Sequence, residues 1–226
     1  YTPFSFILIY EAFLLIYYLP RSFTTAVGKQ YEIISLIVIR KIFGDIPMVD
    51  LNSNWIENAN NLQLIYDLIA IIIIFFLIFL FRKAQERLPK KSVSDKLDRF
   101  IASKKLVSII LLPILIVICV FSFSKWFNLA FTVESLDQNL NYLFFNEFFT
   151  LLILVDVFIL LLSFQYTERY SQLIRNTGFI ISTILLRLSF SASGLTSLVL
   201  IVSGIVFGLF ILLIYNAMEK EKIKEY

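Results

Sequence analysis

Four ionisable side chains stand inside runs of Ile, Leu and Phe: Glu11, Arg40, Asp156 and Arg187. A charge in such surroundings is costly, about 2.5–3.5 kcal/mol at a helix centre, so each needs a partner or a wet path. Two chemistries fit these residue types. An acid and a base at one depth can neutralise each other, the guanidinium fork meeting the carboxylate. Alternatively, buried charges mark a proton or ion route. Asp67 and Glu147 are further acids, nearer the outer ends of their runs and expected to be wetted there.

Other chemistry finds little material. The chain has no histidine, which removes the usual general base, most zinc sites and the commonest haem ligand. Its single cysteine, Cys119, lies in an apolar run and reads as a small buried hydrophobe. There is no P-loop, GxSxG, CxxC or HExxH pattern, and the polar loops are too short for a soluble catalytic domain. A non-enzymatic protein without cofactor or metal is expected.

The elements that carry these charges are set by composition. Hydrophobic residues make up 59% of the 226, 24 are Phe, and the mean hydropathy is +0.83. Apolar runs reach the ~20 residues that cross a bilayer as helix, and IIIIFFLIFLF (71–81) lacks the alternation of a barrel strand. The expected fold is all-α and polytopic, with seven spans near 3–20, 29–43, 62–82, 105–123, 145–166, 173–190 and 195–215. The net charge of +3 is no nucleic-acid signal, because the basic residues sit in loops that orient helices.

Loop 82–105 holds nine Lys/Arg against three acids, which places it in the cytoplasm. Its basic residues Arg82, Lys83, Arg87, Lys90, Lys91, Lys96, Arg99, Lys104 and Lys105 are expected at the membrane surface. Val93, Leu97, Phe100 and Ile101 share one face, predicting a short amphipathic helix on the inner leaflet. The loops near 44–61 and 124–141 then fall outside, with Trp55 and Trp126 at the outer interface. The termini, with 219–226 as a charged tail, are expected on the cytoplasmic side.

The chain also repeats itself. YEAFLLIYY (10–18), IISLIVIRKIF (33–43) and FFLIFLFRKAQE (75–86) match VDVFILLLS (155–163), IISTILLRLSF (180–190) and GLFILLIYNAME (208–219). The division predicted is 1–85 as a first unit, 86–104 as a basic linker, 105–218 as a second unit and 219–226 as the tail. Span 105–123 has no counterpart before Tyr1, so a further span is expected there. That would give two four-helix units in parallel orientation, unlike inverted repeats.

The order of spans, the acid in an aromatic-rich helix and the following helix ending in Arg resemble the phosphate-starvation-inducible E (PsiE-like) family. Residues 105–215 would match the whole pattern and 4–82 would match it without its first span. The resemblance implies small bacterial inner-membrane proteins and brings no catalytic residues.

Depth makes the pairing specific. At 1.5 Å per residue, Glu11 lies about 13 Å and Arg40 about 16 Å from the inner ends of their spans. Asp156 and Arg187 lie at roughly 16 and 18 Å. The pairs Glu11–Arg40 and Asp156–Arg187 are therefore predicted. Gly204 and Gly208 form a GxxxG spacing that serves close helix packing, within the chain or against a partner. Ser189, Ser191, Ser193 and Ser197 cluster at an outer turn. The expected role is a membrane subunit or scaffold among lipids and other integral membrane proteins, in a respiratory or photosynthetic assembly of a bacterial inner membrane or thylakoid. A channel or transporter with a path between the units is the alternative.

Overall fold

The computed structural model describes residues 2–50, 58–86, 95–131, 140–166 and 169–224. Among them the regular structure is helical: α1 (Thr2–Tyr18), α2 (Phe23–Asp45), α3 (Ala59–Glu86), α4 (Asp95–Phe131), α5 (Leu140–Tyr166), α6 (Tyr170–Leu188) and α7 (Gly194–Lys224). The all-α expectation holds. Four helices are long and apolar enough to cross a membrane, over Ala59–Glu86, Arg99–Phe121, Phe148–Tyr166 and Gly194–Glu221. They make the chain an integral membrane protein.

The seven-span expectation is narrower in the structure. The apolar part of α1, Ile9–Tyr18, is shorter, and α2 and α6 do not reach the same hydropathy. Their placement explains this. Most described side chains of α2 are buried, among them Gln30, Tyr31 and Ser35, and α6 buries Asn176, Ser182, Thr183 and Arg187. A helix enclosed by other helices can carry polar groups that a lipid-facing one cannot. The outer helices carry the apolar surface instead, with Ile72, Phe76 and Phe79 of α3 and Phe210 of α7 exposed.

Local sequence explains the corners. Pro20 follows α1, and Ser22 caps α2 by accepting from the Thr25 amide at 3.3 Å. Pro47 lies in a 3-10 turn, Ile46–Met48, after α2. Asn58 accepts from the Asn60 amide at 3.0 Å where α3 begins. Gly194 starts α7 at φ +57°, a left-handed conformation that costs glycine nothing. There Ser189 bonds the Leu186 carbonyl and Ser197 the Ser189 carbonyl, so two of the clustered serines satisfy the turn between α6 and α7.

Helices α1 and α2 form one hairpin, and α5 and α6 another. Between them, α3 packs along α7 and α2 meets α6, while α4 leans on α5 and α1. The seam is filled by Tyr31, Phe81 and Phe179, none of them exposed, with ring centroids 4.9 Å apart for Tyr31–Phe81 and 6.0 Å for Phe81–Phe179.

Several boundaries differ from expectation. Residues from Asp95 onward are the first turns of α4 itself, so no separate amphipathic helix lies there. Phe100 turns inward, buried, with ring centroids 5.8 Å from Phe23 and 5.6 Å from Tyr166. The segment DKLDRFIASKK has no Gly or Pro to stop a helix, so the helix runs through the charge-rich stretch. Likewise α4 continues to Phe131 and α5 starts at Leu140, which shortens the expected 124–141 loop. The supposed tail is the end of α7, helical to Lys224. Trp55, Arg87, Lys90, Lys91 and Val93 lie outside the described residues, as do the side chains of Lys96, Leu97, Trp126 and Glu147.

Candidate functional site

The hairpin α1–α2 brings Glu11 and Arg40 together. Arg40 Nη2 lies 3.2 Å from Glu11 Oε2, and Nε donates to Oε1 at 3.4 Å. Two guanidinium nitrogens thus face the carboxylate, but only Nε hydrogen-bonds it, and Glu11 Oε2 is buried without a hydrogen-bond partner among the described residues. Glu11 is 2% exposed.

The hairpin α5–α6 does the same for Asp156 and Arg187. Arg187 Nη1 is 2.6 Å from Asp156 Oδ2, and both side chains are 3% exposed. Thr183 adds a contact absent from the first pair, its hydroxyl 2.9 Å from Asp156 Oδ2 and also 2.9 Å from the Ile180 carbonyl. One hydroxyl proton serves two acceptors there. The angle at Nη1 is poor for a hydrogen bond, and Nη2 is buried without a partner among the described residues. Attraction at short range in a low-dielectric site, rather than hydrogen-bond geometry, holds this pair. Toward the α6–α7 turn, the rings of Phe149 and Phe190 stack with centroids 4.2 Å apart.

Thr183 was legible in principle. It lies four residues before Arg187 and so on the same helical face. A hydroxyl carries no charge, so depth matching of charged residues does not mark it.

Gly204 and Gly208 pack inside the chain. A Cβ at Gly204 would sit 3.2 Å from the Ser182 carbonyl oxygen, and one at Gly208 would clash with the Tyr31 hydroxyl. That hydroxyl is 2.7 Å from Ser182 Oγ, which itself donates to the Gly204 carbonyl at 2.7 Å. Since the serine proton is committed to Gly204, the tyrosine donates to the serine. The GxxxG face is therefore a socket for a side chain of α2.

The basic residues expected at the membrane surface divide. Arg82 is exposed and bonds Glu32 through Nε at 2.9 Å and Nη2 at 2.5 Å. Lys83, Arg99 and Lys105 are exposed. Lys104 is a correction: it is 2% exposed, and Nζ donates to the Arg21 carbonyl at 2.6 Å. Its ammonium also lies 4.7 Å from the Phe23 ring centroid and 5.6 Å from that of Phe100. The position faces the corner between α1 and α2, where a free turn carbonyl and two rings offer a cation better company than an apolar wall.

Asp67 is a second correction. The expectation of a wetted acid fails, because Asp67 is 0% exposed. Lys41 Nζ approaches its Oδ1 at 3.4 Å and Gln63 Nε2 donates to the same oxygen at 3.0 Å. Nearness to a helix end did not mean contact with water, since α2 covers this face of α3.

Among the described residues no cluster of three His, Cys, Asp or Glu side chains forms that could hold a metal ion. No family model, curated protein or solved structure matches the chain.

Proposed function

We propose that this protein is a non-enzymatic membrane subunit or scaffold, in which two buried ion pairs lock helix hairpins into a rigid bundle. The observation that carries this reading is the filled seam between the hairpins. Tyr31, Phe81 and Phe179 occupy the place a conduction path between the units would need, and Gly204 and Gly208 draw the helices into contact there. The pairs themselves are closed inside their own hairpins, each acid facing its own base. Exposed Phe and Ile side chains on α3, α4 and α7 supply broad surfaces for lipid or for helices of other integral membrane proteins.

The parallel repeat belongs to this reading as well. Its support is that corresponding residues, Glu11 with Arg40 and Asp156 with Arg187, make corresponding contacts. A PsiE-like origin in a bacterial inner membrane is proposed on the span order alone.

The test is purification of the full chain from native membranes in mild detergent after light cross-linking, with identification of co-migrating proteins. A defined stoichiometric membrane partner is the expected result. Migration of the chain alone, together with ion or proton flux in proteoliposomes that is lost in Asp156→Asn, would replace this reading with a transporter.

A further inference from the structure

The repeat aligns α1 with α5, yet the two helices bury different faces. Glu11 corresponds to Asp156, so Ile7, Tyr10, Leu14 and Tyr17 correspond to Leu152, Val155, Ile159 and Leu162. Spaced three and four apart, these positions form one stripe along each helix. On α5 the stripe is covered: Leu152 and Ile159 are buried, and Val155 and Leu162 are half-buried. Tyr166 continues it and meets Phe100 of α4, with ring centroids 5.6 Å apart. Phe100 lies in the first turns of α4 and Tyr166 ends α5, so the covering helix runs antiparallel to α5.

On α1 the same stripe is bare. Tyr10 is 59% exposed and Tyr17 52%, and Ile7 is exposed as well. Helix α4 lies on the other side of α1, where the Ser108 hydroxyl reaches the Ile16 carbonyl at 3.4 Å and Ala12, Ile16 and Leu19 are buried. Their counterparts on α5, Val157, Leu161 and Phe164, are exposed. One helix thus covers opposite sides of α1 and α5, and the place it fills beside α5 has no occupant beside α1. No further stretch of the 226 residues can supply one, since the segments between the described ones have eight residues at most and a crossing helix needs about 20.

The bare stripe also carries a group that lipid tails cannot satisfy. Tyr10 stands at the midpoint of α1, about 12 Å from either end at 1.5 Å per residue. Its hydroxyl has no hydrogen-bond partner among the described residues. A phenol favours the headgroup region, and its hydroxyl is costly in hydrocarbon without a partner. Tyr17, on the last turn of α1, can reach headgroups, but Tyr10 cannot. The adjoining groove of about 420 Å³, shared with Leu112, Leu115, Ile116 and Cys119 of α4, offers the hydroxyl no oxygen or nitrogen from a side chain. Val155, its counterpart under α4, has no such group.

We propose that the stripe Ile7, Tyr10, Leu14 and Tyr17 docks one membrane-spanning helix of a different integral membrane protein. That helix runs antiparallel to α1, as α4 does to α5, and is apolar except for a hydrogen-bonding side chain opposite Tyr10. A two-fold dimer through this face would set α1 against a parallel copy of itself, the opposite direction. The proposal rests on the subunit reading above and names the surface and chemistry by which the partner is held.

The experiment places a photo-cross-linking residue at Ile7 or Tyr17 of the full chain in native membranes, with Phe210 on the exposed face of α7 as comparison. Discrete adducts at Ile7 and Tyr17 are expected, with the linked peptide in an apolar spanning helix that carries a Ser, Thr, Asn, Gln or acidic side chain. Tyr10→Phe removes only an exposed hydroxyl, so the melting point holds while adduct yield falls about threefold, the worth of one hydrogen bond between membrane helices. Adducts to lipid alone, to a second copy, or within the same polypeptide overturn the proposal, as does an unchanged yield in Tyr10→Phe. An adduct at Phe210 with none on the stripe overturns it too, while leaving the subunit reading intact.

Discussion

The pair on α1–α2 and the pair on α5–α6 hold the same charges by different means. Arg40 retains 14% of its side-chain exposure and meets Glu11 with two nitrogens at 3.2 and 3.4 Å. Arg187 is 3% exposed and meets Asp156 with one nitrogen at 2.6 Å, with Thr183 alongside. The first pair is wider, joined by a single hydrogen bond, and partly open. The second is closer, drier and more dependent on its neighbours. Dryness strengthens the attraction between two charges and raises the cost of losing either one. The second pair should therefore be the more fragile when broken, although it is the tighter when whole.

Mutations at the two sites sharpen this contrast. Arg187→Leu leaves Asp156 buried without its base, and should destabilise the fold by about 3–5 kcal/mol in detergent melts. The double change Asp156→Leu with Arg187→Leu should recover most of that loss, and equal instability of single and double variants would contradict the pairing. Arg40→Leu should cost less, about 2–3 kcal/mol by the same assay, because water can reach toward Glu11 where Arg40 was partly exposed. If the two single variants melt alike, the distinction drawn from burial is wrong.

Gly208→Ala probes the packing of α7 against α2 rather than a contact within one hairpin. The added methyl meets the Tyr31 hydroxyl, and overpacking of this kind costs about 1–3 kcal/mol. Adding Tyr31→Phe should return part of it, since the obstructing oxygen is gone. The smallest effect expected is that of Thr183→Val, about 0.5–1 kcal/mol, in line with single hydrogen bonds between membrane helices. Leu36, the repeat counterpart of Thr183, is exposed, so Leu36→Thr should leave the melting point of the first hairpin unchanged.

The ion pairs were legible in the sequence because two strict rules meet there. Charge in hydrocarbon demands a partner, and a fixed rise per residue turns sequence position into depth. The length of α4 was not legible in the same way. A charged stretch such as 95–105 reads as a loop when hydropathy is the guide, yet its residues are sound helix formers and nothing in them ends a helix. Asp67 and Lys104 were misplaced for a related reason. Position along a helix sets depth, but contact with water depends on what the neighbouring helix covers, and that is a tertiary fact. The socket for Tyr31 was half visible: the glycine spacing announced a close approach, while the side chain that fills it comes from α2, in the other half of the chain.

The ammonium of Lys104 gives the corner at Arg21 a history as well as a shape. Its bond spans 83 positions of sequence, so the turn joining the first two helices is translated long before the residue that completes it. During synthesis that carbonyl must rely on water or headgroups until α4 arrives. The early hairpin is thus left unfinished by its own half and is sealed by the later one, which binds the order of insertion to the order of the polypeptide.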